Sequence, residues 1–158
     1  MSAVLQPQQV RLEAMAEPWL AEVARIEKLA YAHPWSEGNF ADSLRAGYHA
    51  QLLLAGEVHP TLIGYFVAMK GVDEVHLLNI TVAPDHQGQG FARLLLDSLV
   101  LWSRQAVAQW LWLEVRMSNT RAREIYKHYG FKEVGTRRNY YPLSAFRRED
   151  AVVMSLAL

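Results

Sequence analysis

The chain has 158 residues, half of them hydrophobic and a fifth charged, which suits one globular domain with a single core burying about two thirds of its unfolded surface. Sixteen basic residues offset sixteen acidic ones, so no net field draws the protein towards nucleic acid or an acidic membrane, and neither is an expected partner. Cysteine is absent, which excludes disulfides, thiolate metal sites and a cysteine nucleophile.

No apolar run approaches the roughly 18 residues of a membrane span. The opening Met-Ser-Ala-Val-Leu-Gln-Pro lacks a basic region followed by an apolar one, so the expected location is the cytoplasm. His33, His49, His59, His76, His86 and His128 are scattered without a His-x-x-x-His pair, and no metal is expected.

Val10, Leu12 and Ala14 alternate with Arg11 and Glu13, a first strand. Pro18 suits the first turn of a helix reaching about Ala30, with Leu20, Val23, Ala24 and Glu27 at helical spacing. His33-Pro34-Trp35 interrupts it, because the residue before proline avoids helical geometry; Ser36 then caps a second helix ending near Gly47. Trp35 on that bend is either a core anchor or the wall of a substrate cleft.

Tyr48 to Leu54, Thr61 to Lys70 and Glu74 to Val82 are strand-like and joined by short turns, the pattern of an antiparallel meander. The third run stops at Pro84. Gly88 and Gly90 follow, and a leucine-rich helix begins near Phe91 with Ala92, Leu95, Leu96, Leu99 and Trp102 on one side. Glycines before a helix let a ligand approach the backbone, and the first helical N–H groups lack internal acceptors, so this turn is a candidate anion site. A dinucleotide fingerprint fails because Arg93 falls where its last small residue belongs, and no Gly-x-x-x-x-Gly-Lys occurs.

Trp110 to Arg116 is a further strand, parallel to the third of the meander through a right-handed crossover. Leu111, Leu113 and Val115 face one way, and Trp110, Trp112, Glu114 and Arg116 the other. Glu114 has two readings: an ion pair with Arg116 or another cation, or a partly desolvated carboxylate with a raised pKa, poised as a general base. Ser118 or Asn119 caps a helix that Gly130 ends, and Asn119 and Tyr126, seven apart, lie along nearly the same side. Lys132 to Arg138 and Ala151 to Leu156 close the pattern as two strands, with Asn139-Tyr-Tyr-Pro142 in the connection.

Gln87-x-x-Gly90-x-Ala92 resembles the acyl-coenzyme A pyrophosphate loop of the GNAT N-acetyltransferases, and Asn119-x-x-Ala122-x-x-x-Tyr126-x-x-x-Gly130-Phe131 resembles their second signature. Nearly the whole chain is covered. The resemblance implies an α/β class with a mixed sheet, the GNAT acyl-CoA N-acyltransferase fold of about seven strands with four helices. His33-Pro-Trp-Ser36, Leu78-Asn-Ile-Thr-Val82, Leu111-Trp-Leu-Glu-Val-Arg116, Arg137-Arg-Asn-Tyr-Tyr-Pro142 and Arg148-Glu-Asp-Ala151 are similar to its branch that acetylates the N-terminal alanine of small-subunit ribosomal protein number eighteen.

By that resemblance acetyl-CoA is the co-substrate and a ribosomal-protein N-terminus the acceptor. Ile80, Thr81 and Val82 would pair with the pantetheine arm. Gly88, Gln89, Gly90, Phe91, Ala92 and Arg93 would hold the pyrophosphate, and Asn119 would touch the cofactor. Glu114 would deprotonate the amine, Tyr126 would protonate the departing thiolate, and Trp35, Tyr140 and Tyr141 would line the substrate channel. Ala92 replaces a commoner glycine, and Gly88 occupies a place that is often basic. With no cysteine, direct attack by the amine is the simpler route. Deprotonating an α-amine at pH 7 costs about 1 kcal/mol against roughly 4.6 for lysine, so one carboxylate suffices for an N-terminus.

Two rivals remain. An acetyltransferase of a small cationic amine would want several acidic groups around its site, whereas Arg137 and Arg138 accompany the aromatic lining here. A coenzyme A-binding module without turnover would bind cofactor but yield no acetylated product.

Overall fold

The structure, a computed structural model, describes residues 9–158; the opening stretch on which the absence of a leader was argued lies outside them. Among the described residues seven strands form one sheet in the order β1-β2-β3-β4-β5-β7-β6. They are β1 (Val10–Ala14), β2 (His49–Ala55), β3 (Thr61–Lys70), β4 (Glu74–Val82), β5 (Trp110–Arg116), β6 (Lys132–Pro142) and β7 (Arg148–Ala157). Four helices accompany them among the described residues: α1 (Leu20–Ala30), α2 (Glu37–Arg45), α3 (Phe91–Gln105) and α4 (Thr120–Tyr129). This is the mixed α/β arrangement that the family resemblance implies. No helix among the described residues is long and apolar enough to cross a membrane.

The chain divides into two compact units, the first made of Met1–Val67 with Asn79–Leu95 and the second of Ala68–Leu78 with Leu96–Leu158. In the first, β1 runs antiparallel to β2, Val10 facing Ala55 and Ala14 facing Gln51. Pro18 sits in a 3₁₀ turn that leads into α1, whose apolar stripe buries Leu20, Val23, Ala24 and Ile26. Ser36 begins α2 with a capping box: its hydroxyl accepts from Asn39 N at 3.1 Å and its own N–H donates to the Asn39 side chain at 2.9 Å. Phe40 is fully buried, edge-on to Tyr65 at 5.6 Å. Gly64 of β3 has no room for a side chain, because a Cβ there would come within 2.5 Å of the Thr81 carbonyl oxygen.

In the second unit β5 pairs parallel to β4, with His76 opposite Trp112, and antiparallel to β7 along its whole length. Alternation on β5 is as read from the sequence: Leu111, Leu113 and Val115 are buried, and Trp112 and Glu114 between them are partly buried. Asn119 caps α4 by accepting from Ala122 N at 3.2 Å, and Gly130 ends it at φ 127°. The closing strands are longer than expected. Asn139-Tyr-Tyr-Pro142 belongs to β6 instead of a connection, and β7 begins at Arg148. Register shifts between Arg137 and Tyr141, with Asn139 at φ 51°, break the alternation that strand recognition relies on. Arg148 bridges the irregularity, donating to the carbonyls of Asn139 and Tyr140 at 2.8 Å each.

Candidate active site

The glycine turn lies in the first unit. Gly88 and Gly90 adopt φ of 75° and 84°, a region that side chains rarely enter, and a Cβ on either would meet nothing within 4 Å. The backbone conformation, not crowding, therefore demands glycine, and the space over the turn is open. Leu94 N–H donates back to Gly90 O at 3.3 Å, so the N–H groups of Phe91, Ala92 and Arg93 precede the first helical donor and have no acceptor within the helix. Arg93 is exposed in the first turn of the 15-residue α3, while Phe91 is buried beneath it. This donor set fits a diphosphate, which the positive end of the helix dipole also favours. Gln87 closes the turn by donating to Val82 O at 3.1 Å.

The adjoining end of β4 is held from α1. The Tyr31 hydroxyl lies 2.9 Å from both Ile80 O and the Thr81 hydroxyl, and burial raises its pKa to about 12, the Thr81 bond opposing and Glu27 adding to the rise. The carbonyls of Ile80 and Val82 thus already carry partners. A carbonyl oxygen has two lone pairs, so one such partner does not saturate it. Trp35 is partly buried against Phe40, ring centroids 5.2 Å apart, and its backbone N–H donates to Glu27 at 2.9 Å.

Glu114 lies in the second unit, its side chain only 8% exposed. One carboxylate oxygen is hydrogen-bonded to His76 Nε2, and the other accepts from Arg137 Nε at 3.1 Å. Burial pushes its pKa up, but the His76 hydrogen bond and charge, with Arg137 behind them, outweigh burial and hold it below the ordinary carboxylate value. The raised pKa expected from an aromatic strand is corrected accordingly. Neither partner is the cation nearest in sequence, because Arg116 instead pairs with Glu149 at 2.9 Å.

Tyr140 and Tyr141 join this cluster. Their rings meet edge-to-face at 4.9 Å, with the Arg137 guanidinium 5.7 Å from the centre of Tyr140 and that of Arg116 4.6 Å from the centre of Tyr141. Burial, and then the Glu114 charge, raise the Tyr141 pKa well above the ordinary phenol value. On α4, Tyr126 is partly buried with its ring 5.8 Å from Phe131, and the Asn119 side-chain Oδ1 is engaged in the helix cap.

The second unit therefore brings Glu114, Tyr140 and Tyr141 together. Within the first lie Trp35, Ile80 to Val82 and the turn to Arg93. Sequence reading missed His76 as a Glu114 partner and Glu27 as a buried carboxylate at all. A signal for each existed: His76 occupies an outward position of an alternating strand, and Glu27 falls on the apolar stripe of its helix.

The chain belongs to the acetyltransferase (GNAT) family, whose model matches residues 20–131. Among its relatives, the ribosomal protein bS18-alanine N-acetyltransferase of Haemophilus ducreyi is 35% identical over 147 residues, 93% of this chain and 99% of that protein. The enzyme of the same name from Haemophilus influenzae is 40% identical over 133 residues, 84% of this chain and 88% of the relative. The crystal structure of the ribosomal-protein-S18-alanine N-acetyltransferase from Escherichia coli matches with a TM-score of 0.82 at 36% identity, covering 94% of this chain and 93% of that one. Within the family the resemblance is thus to RimI.

Proposed function

We propose that this chain transfers the acetyl group of acetyl-CoA to the α-amine of the N-terminal alanine of ribosomal protein bS18, in the cytoplasm. The observation that carries the reading is 35% identity to a bS18-alanine N-acetyltransferase across 93% of this chain. Acetyl-CoA supplies the acyl group already activated as a thioester.

The chain's own residues supply binding and proton transfer. Gly88 to Arg93 hold the diphosphate through backbone N–H groups and the Arg93 charge, Ile80 to Val82 pair with the pantetheine amides, and Asn119 adds a cofactor contact. Trp35, Tyr140 and Tyr141 flank the incoming N-terminus. Glu114 accepts the proton of the amine, directly or through one water, and Tyr126 donates to the departing thiolate. A carboxylate held below its ordinary pKa stays ionised at pH 7, at the cost of some basicity. An α-amine tolerates that loss, since its own deprotonation costs only about 1 kcal/mol at pH 7. His76 and Arg137 fix which lone pair of Glu114 is left to receive the proton.

The test is an acetyl-transfer assay on N-terminal hexapeptides, read by mass so that α-amine and lysine products separate. A peptide beginning Ala-Arg should gain one acetyl group on its α-amine and outcompete a panel of polyamines. Preference for a polyamine, or cofactor binding with no acetylated peptide, would overturn the proposal.

A further inference from the structure

Glu27 is only 2% exposed, and a carboxylate in such a place is costly unless its lone pairs are taken up. The Tyr65 hydroxyl donates to it at 2.7 Å, the Trp35 backbone N–H at 2.9 Å, and the Asn79 side-chain amide at 3.1 and 3.2 Å. The Thr81 hydroxyl is 3.4 Å away, but its single proton is better placed towards Asn79 Oδ1 at 2.9 Å. All these donors are neutral. One turn further along the chain, Tyr31 repeats the link by reaching Ile80 O and Thr81.

Apolar groups in place of the carboxylate and its side-chain donors together would fill this volume at less desolvation cost, so stability alone explains the network poorly. What the carboxylate joins is more informative. Trp35 is the bend between α1 and α2, and Asn79 and Thr81 lie at the end of β4 leading to the glycine turn. On the reading proposed above, the first flanks the peptide and the second the pantetheine arm. We propose that Glu27 is a positioning residue that ties the substrate bend to the cofactor strand, so that acetyl-CoA settling on β4 also fixes Trp35. Coupling of this kind is reciprocal: a bend ordered by peptide holds the strand for cofactor.

The experiment follows hydrogen exchange at the Trp35 amide with and without saturating acetyl-CoA, alongside steady-state kinetics and thermal unfolding. In the wild type, cofactor should slow that exchange about tenfold, an ordinary strength of coupling between sites. Glu27→Gln should still bind acetyl-CoA by calorimetry, lose the slowing, and turn over about 10- to 100-fold less, as expected when reacting groups are displaced by a fraction of an ångström. Tyr65→Phe removes a donor that belongs to neither segment; it should lower the melting temperature yet keep the slowing. If Glu27→Gln does not fold, Asn79→Ala is read in the same way.

Wild-type slowing and turnover in Glu27→Gln, or in Asn79→Ala where that variant stands in, would overturn the inference, as would loss of the slowing in Tyr65→Phe. A wild-type chain that fails to bind acetyl-CoA in the calorimeter overturns the acetyltransferase reading and this inference with it. That outcome is seen before any variant is made, which distinguishes the two failures.

Discussion

Two carboxylates, one in each compact unit, show what burial alone does not decide. Glu27, on a helix, is surrounded by neutral donors: a hydroxyl, a backbone N–H and an amide. Glu114, on a strand, is gripped by an imidazole and a guanidinium. Both are nearly inaccessible to water. Neutral donors satisfy lone pairs at fixed distances and so specify geometry. At Glu114 the His76 hydrogen bond and the Arg137 guanidinium together outweigh burial and reduce the oxygen's affinity for a proton. The first arrangement suits holding segments in place, and the second suits a group that must be ionised when substrate arrives.

The comparison can be broken most forcefully at Glu27. Glu27→Leu strands the Tyr65, Trp35 and Asn79 donors in the interior and should cost about 3–5 kcal/mol in denaturant unfolding. A loss under 1 kcal/mol would mean those donors find water. Glu114→Gln should have the opposite profile: a folded protein whose turnover drops by about 10² or more. Tyr126→Phe should lose a similar factor, and wild-type turnover in both variants would remove the proposed proton transfers.

Acid sharpens the contrast further. Because Glu114 is held below its ordinary value of 4.5, its ionised form stabilises the fold. That contribution is complete above pH 4.5 and is lost as the pH falls through the folded-state value. Unfolding free energies of the wild type and Glu114→Gln should therefore converge as the pH is lowered below that point; a gap that widens there would mean that the pKa is raised. The smallest effect belongs to the exposed Arg93, whose replacement by alanine should raise the KM for acetyl-CoA about threefold, as a solvated ion pair would.

Local patterns were legible wherever a few neighbours decide the outcome. The Ser36 cap, a cap at Ser118 or Asn119 (it is Asn119), the glycines at 88, 90 and 130, and the alternation of β5 all depend on residues within one turn or one strand. The extent of β6 was not, because its bulged segment is held by Arg148 across the hairpin and not by its own periodicity. Glu27 was read as one more position on the buried stripe of its helix. Its partners are 8, 38 and 52 residues away in the chain. The Glu114 partners are no nearer, with His76 38 positions before it and Arg137 23 after.

By itself, then, the sequence determined the order of strands and helices, the family, the glycine turn before α3 and the carboxylate on β5. The family follows from the resemblance of its motifs; the rest follow from periodicity, backbone permissiveness and capping, which act over a few residues. Only the tertiary structure decided that Glu114 is ion-paired with a pKa below the usual range, and that a second carboxylate links the Trp35 bend to β4. A proton's affinity for an oxygen depends on the charges within a few ångströms, and strand register and helix packing choose those neighbours from distant parts of the chain.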